Sequence, residues 1–141
     1  MHRFPIRVRY SDTDQMGFAY YAHYLRWFEI GRAELMRSLG TSYRAIEESG
    51  IRLPVVEAQC RYRDPARYDD ALVLETGVAR LSRASVEFHY RVVREADGVP
   101  LATGRTVHCF LDPGGRPVRA PAALTELLTR APRAADAAPR S

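Results

Sequence analysis

Residues 4–10 alternate between apolar and basic side chains, with Phe4, Ile6, Val8 and Tyr10 set against Arg3, Arg7 and Arg9. A period of two predicts a strand with one buried face. The run Ser11-Asp12-Thr13-Asp14-Gln15-Met16-Gly17 breaks that alternation with turn and cap residues. A helical period then takes over as far as Leu39: Tyr21, Tyr24, Leu25, Phe28, Gly31, Leu35 and Leu39 recur at intervals of three and four. Tyr20, Trp27, Ile30 and Met36 widen the apolar face beyond one stripe, which predicts a helix wrapped by other structure. Gly40 stands where a helix-ending left-handed residue belongs.

From residue 53 the pattern is strand after strand. Alternation predicts strands over residues 56–63, 71–81, 85–94 and 101–111, with Gly77 as a bulge candidate. Asp97-Gly98 is a hairpin turn signal, and Asp112-Pro113-Gly114-Gly115 ends the last strand. A short helix is expected over residues 121–129. The tail 131–141, rich in Ala, Pro and Arg, is expected to be disordered. One strand, a long apolar helix, four strands joined by short turns and a final short helix describe an α+β domain over residues 1–130. An antiparallel sheet curved around the central helix buries both apolar surfaces.

Composition excludes more than it assigns. With 46% hydrophobic and 27% charged residues, the 141-residue chain has the make-up of a globular protein. No apolar run approaches the roughly 20 residues that span a bilayer. The N-terminal residues have no apolar signal core, so a cytoplasmic location is the expectation. All 21 basic residues are Arg, for a net charge of +4. They are scattered rather than striped, which argues against nucleic acid as a partner while permitting an anionic ligand. Cys60 and Cys109 form no CxxC and are expected to be buried free thiols. His2, His23, His89 and His108 show no metal-ligand spacing, and no glycine-rich phosphate loop is present. No metal or redox cofactor is expected.

The informative segment is residues 10–29, YSDTDQMGFAYYAHYLRWFE. Asp14 suits two roles: a helix cap, or a carboxylate for base or nucleophilic chemistry. The segment resembles the active-site signature of hotdog-fold acyl-CoA thioesterases, the 4-hydroxybenzoyl-CoA thioesterase and Tol–Pal-associated families. Their pattern is a strand, D-x-D-x-x-G, an aromatic residue and a central helix rich in aromatic residues. Pro65-Ala66-Arg67-Tyr68-Asp69-Asp70 resembles the family's loop before the third strand, so the resemblance covers nearly the whole chain.

What the resemblance implies is specific. The second Asp, Asp14, becomes the catalytic carboxylate, either activating water or attacking the thioester carbonyl. Backbone N–H groups between Gly17 and Tyr21 would face the thioester oxygen, since unpaired donors at a helix start suit a developing oxyanion. Asp12 is expected to bond turn amides. Tyr24 is a substrate-contact candidate whose default role is core packing. His23 stands where the family has Asn, and a helix-surface role is expected of it. Arg83, Ser85 and Arg119 correspond to positions that meet the coenzyme A phosphates. The acyl-CoA, short-chain or aromatic, is substrate, and coenzyme A is its only cofactor-like part. A homodimer or homotetramer sharing its site between subunits is implied. A non-hydrolytic acyl-CoA binder and a hotdog hydratase or dehydratase are the rival readings.

Overall fold

The computed structural model describes residues 1–134. Five antiparallel strands form one sheet in the order β1-β3-β4-β5-β2. They are β1 (His2–Arg7), β2 (Val55–Tyr62), β3 (Ala71–Leu81), β4 (Ser85–Arg94) and β5 (Pro100–Cys109). Three helices accompany them: α1 (His23–Ser38), α2 (Tyr43–Glu48) and α3 (Ala122–Arg130). This is the α+β hotdog arrangement, with α1 packed on one face of the sheet.

Two glycines, one on each partner, set how closely helix and sheet approach. A methyl on Gly31 of α1 would stand 2.5 Å from Thr76 Oγ1 on β3. A methyl on Gly104 of β5 would run into the Phe28 ring of α1 and lie 2.6 Å from the Gln59 carbonyl oxygen. Phe28 then stacks on Tyr90, with centroids 4.5 Å apart and planes 10° from parallel. The same inner face carries Leu72, Leu74, Phe88 and Val92, all buried, as period-two alternation requires.

The outer face is charged rather than apolar. Arg3, Glu75 and Arg91 are cross-strand neighbours on β1, β3 and β4, and both guanidiniums pair with the buried Glu75. Beside them Glu87 bonds His89 and Arg105, and Arg105 also reaches Glu57 on β2. Opposite charges facing each other across strands support this surface without a second apolar layer.

Several boundaries move. β1 ends at Arg7 rather than residue 10, because the Asp12 carboxylate accepts the Arg9 N–H (2.8 Å) and turns residues 10–12 into one 3₁₀ turn. Helix α2 was not anticipated; Ser42 caps it by accepting the Ala45 N–H. The irregularity in β3 falls between Val78 and Arg80 rather than at Gly77. Gly77 instead admits the backbone of residues 133–134, which would meet any side chain there. Residues 131–134 are placed, contrary to the disorder expected from 131 onward. Val78 N–H donates to Pro132 O, Ala134 N–H donates to Val78 O, and Ala131 is buried. These residues continue the sheet edge beyond the start of β1. Residues 135–141 lie outside the described residues. Cys60 and Cys109 are free but only half-buried.

Candidate active site

The segment between β1 and α1 folds back on itself. Asp14 N–H donates to Phe18 O (2.9 Å) and Gly17 N–H to Asp14 O (3.0 Å), closing a tight turn with Gly17 at φ +80°. Only glycine adopts that φ without strain. The Asp14 side chain is half-buried, and its Oδ1 accepts the Met16 N–H at 2.9 Å. That bond fixes the carboxylate and leaves Oδ2 unengaged among the described residues. Asp12 is buried and structural, as expected, its carboxylate holding Arg9 and its carbonyl accepting Tyr20 N–H (2.7 Å).

Helix α1 starts at His23, later than the sequence pattern suggests. The amides of residues 17–22 therefore belong to a loop, and half of them are committed. Gly17 donates to Asp14, Ala19 to Ala66 O (2.8 Å) and Tyr20 to Asp12. Among the described residues the N–H groups of Phe18, Tyr21 and Ala22 have no acceptor. Those of Tyr21 and Ala22 immediately precede α1, where unpaired donors and the positive helix end coincide. Gly17 shapes the loop rather than offering its amide, so of the amides between Gly17 and Tyr21 those of Phe18 and Tyr21 are unengaged.

Aromatic rings surround this loop. Tyr20 and Tyr21 lie 4.7 Å apart, Tyr62 stands edge-on to Tyr21 at 6.5 Å, and His23 edge-on to Tyr20 at 6.0 Å. The Tyr62 hydroxyl donates to Tyr21 O at 2.9 Å, tying the end of β2 to the start of α1. Tyr21 is 62% exposed, and Tyr20, Tyr62 and Met16 are also exposed. Tyr21 and, less strongly, the Asp14 charge hold the Tyr20 phenol above its ordinary pKa. Tyr24 is buried, and its hydroxyl accepts the Ala66 N–H (3.1 Å), so it anchors the 64–70 loop to α1.

Arg83 and Arg119, 36 positions apart, come together at one cleft of about 870 Å³, beside Ala120 and Arg130. Neither has an ion-pair partner among the described residues. Arg130 was not anticipated there; its place on α3 depends on how that helix returns to the sheet. Ser85 does not line the cleft, and its hydroxyl is spent on Ser82 (2.8 Å) within the β3–β4 turn. The register places this cleft far from Asp14. The loop that carries Asp14 pairs with residues 66–67, just before β3 begins, whereas Arg83 lies past the far end of β3, in the turn to β4. Ten residues of β4 separate the two ends by roughly 30 Å.

No group of three or more His, Cys, Asp or Glu side chains is placed to hold a metal among the described residues. No helix there is long and apolar enough to cross a membrane.

A sheet packed on one helix, with a fixed carboxylate and an unpaired amide at that helix's start, defines the class of the hotdog thioesterases. Comparison with known proteins agrees. The profile of the thioesterase-like superfamily matches residues 8–128. The acyl-CoA thioester hydrolase YbgC of Escherichia coli O6:H1 is 31% identical over 113 residues, 80% of this chain and 84% of that protein. The crystal structure of a DHNA-CoA thioesterase from Staphylococcus aureus superposes with a TM-score of 0.85 at 28% identity, over 91% of this chain and 88% of that one. A hypothetical protein from Thermus thermophilus gives 0.85 at 36% identity, over 90% and 96%. The chain belongs to the thioesterase-like superfamily.

Proposed function

We propose that this acyl-CoA thioesterase hydrolyses short-chain or aromatic acyl-CoA with Asp14 as its catalytic carboxylate and the Tyr21 amide as an oxyanion donor. The observation that carries the reading is their shared loop. One carboxylate oxygen is fixed by Met16 and the other is free, and Tyr21 N–H is an unpaired donor just before α1. The thioester carbonyl would sit with its oxygen toward that amide, where negative charge develops as the carbon becomes tetrahedral. Asp14 either takes a proton from water as it attacks or attacks the carbon itself. In both routes water adds across the C–S bond, giving the free acid and the thiol of coenzyme A. The exposed Tyr20, Tyr21 and Tyr62 rings offer apolar surface for the acyl group.

We further propose that the site is completed by a second copy of the chain. The nucleotide phosphates would meet Arg83 and Arg119, an assignment supported by the unpaired state of both guanidiniums and their shared cleft. One substrate cannot easily span the sheet to reach them within one subunit. β2 is an edge strand with Val55 and Val56 exposed, the latter 60%. Two copies paired antiparallel along β2 would bring one copy's Arg83 end beside the other's Asp14 end.

Turnover is tested by measuring coenzyme A release with a thiol reagent over a panel of acetyl-, butyryl-, hexanoyl- and benzoyl-CoA. Asp14→Asn keeps the side chain's shape and its bond to Met16 but removes base and nucleophile. Its kcat should fall at least about a hundredfold with an unchanged melting temperature. Near-native turnover in the folded variant would sink the assignment.

A further inference from the structure

Asp12, Arg32 and Glu75 are the buried charged side chains of the described residues. Glu75 has two arginines and Asp12 has the Arg9 amide. Arg32, 8% exposed, has no carboxylate partner among the described residues. A buried cation without a counter-ion is costly, so what compensates it needs an explanation.

Part of the answer is a chain of hydrogen bonds. Arg32 Nη1 donates to Tyr90 Oη at 3.1 Å, Tyr90 bonds Thr106 Oγ1 at 2.5 Å, and Thr106 bonds His108 Nε2 at 2.9 Å. His108 Nδ1 lies 3.0 Å from Leu53 O. A carbonyl only accepts, so Nδ1 carries the proton and Nε2 accepts from Thr106. Thr106 then accepts from Tyr90, and Tyr90 from Arg32. The chain is neutral beyond Arg32. It orients the guanidinium and supplies no negative charge.

Two donors remain unused. Arg32 Nε–H and the Tyr43 hydroxyl are both buried without a partner. The Tyr43 ring lies over the guanidinium, 5.5 Å from Cζ to the ring centroid, and burial pushes its phenol above the ordinary range, so it stays a donor. Both residues line a cleft of about 760 Å³ between α1, α2 and residues 52–54. Ala33, Leu53, Pro54 and Leu111 give it an apolar wall. At its rim Arg37 and Arg44 pair with Glu34 and Glu48, and Arg52 is without an ion-pair partner among the described residues. Glu29 and Glu47 stand at the same rim.

We propose that this cleft binds a small monocarboxylate with an apolar tail, its head between Arg32 Nε–H and the Tyr43 hydroxyl, its tail along Leu53, Pro54 and Leu111. Two unused donors match the two oxygens of a planar carboxylate, and the ligand's single charge is the counter-ion that Arg32 lacks. A phosphate dianion would face Glu29 and Glu47. The ligand enters by displacing the Tyr43 ring, carried on a six-residue helix. The site stands independently of the thioesterase reading, since it uses no residue of the Asp14 loop.

The test is a titration of the full chain with benzoate, hexanoate and inorganic phosphate, followed by the ¹⁵N–¹H resonance of Arg32 Nε. Benzoate and hexanoate should move that resonance saturably, and phosphate should not. Tyr43→Phe keeps the ring over Arg32 and removes only the hydroxyl, so it should fold normally and weaken benzoate about tenfold. Arg32→Lys keeps the charge but loses the planar fork and should abolish the saturable response, read by calorimetry. An unmoved Arg32 resonance with both carboxylates overturns the proposal. So does equal binding of phosphate, or undiminished benzoate affinity in Tyr43→Phe.

Discussion

His108 is fully buried, with one ring nitrogen donating to a backbone carbonyl and the other accepting from Thr106. Burial, and secondarily the nearby Arg32 charge, lower its pKa to about 4 from the ordinary value of 6.5. The unfolded chain therefore takes up a proton at this residue near pH 6.5, while the folded chain resists until about pH 4. The stabilising contribution is present in full above the unfolded pKa and is lost as pH falls through this window, by roughly 3 kcal/mol in total. Urea unfolding at pH 7 and pH 4.5 should show this loss. His108→Gln, which can still donate to Leu53 and accept from Thr106, should flatten the dependence; an equally steep dependence in that variant would assign it to other groups. None of this was legible in the sequence beyond a histidine without metal spacing. Arg32 was equally hidden, because its partners Tyr90 and Tyr43 come from another strand and another helix, and a charged residue on a helix is by default placed outside.

At the level of elements, alternation located β4 to the residue, because one of its faces is buried and the other polar, and β3 was placed as well although residues 72–78 are buried on both faces. The same pattern in β2 misleads about burial. Its apolar residues Val56 and Ala58 are exposed, since an edge strand is covered by neither a neighbour nor the full helix. The start of α1 was placed too early for a related reason. Tyr20 and Tyr21 extend the apolar stripe in sequence but are exposed, and the true start follows the Asp12–Tyr20 bond. Asp14 was legible through its motif, whereas the commitment of Gly17 N–H to Asp14 O was not, because it depends on loop closure. Close packing gives this level its prediction. Gly104→Ala forces a methyl against the Phe28 ring and the Gln59 carbonyl, and the carbonyl belongs to a paired strand that cannot yield cheaply. Stability should drop by about 1–3 kcal/mol, read as a lowered denaturant midpoint with unchanged m-value. Gly98→Ala meets no neighbouring atom and carries only the strain of its positive φ, so it should lose clearly less; equal losses would remove packing as the cause.

For the whole molecule the decisive geometry is that the two halves of the proposed site sit at opposite ends of the strands. Asp14 stands beside the start of β3, while Arg83 and Arg119 share a cleft at its far end. An antiparallel pair along the unpaired β2 edge reverses one copy relative to the other and covers Val55, Val56 and Tyr62 in the same step. Each catalytic centre would then draw its carboxylate from one chain and its arginines from the other. Alone, Asp14→Asn should fail in kcat, and the double variant Arg83→Ala/Arg119→Ala should fail chiefly through KM. When the two are unfolded together in equal amounts and refolded, half of the dimers carry one chain of each kind. In those dimers the intact Asp14 faces intact arginines at one of two sites, so about a quarter of wild-type activity should return at low substrate concentration. If both halves of the site belonged to one chain, every site in the mixture would still carry a defect and no activity beyond the average of the two parents would appear. Light scattering on the mixture, run alongside, shows whether the recovered activity travels with a species of at least dimer mass; activity recovered at monomer mass would refute pairing along β2.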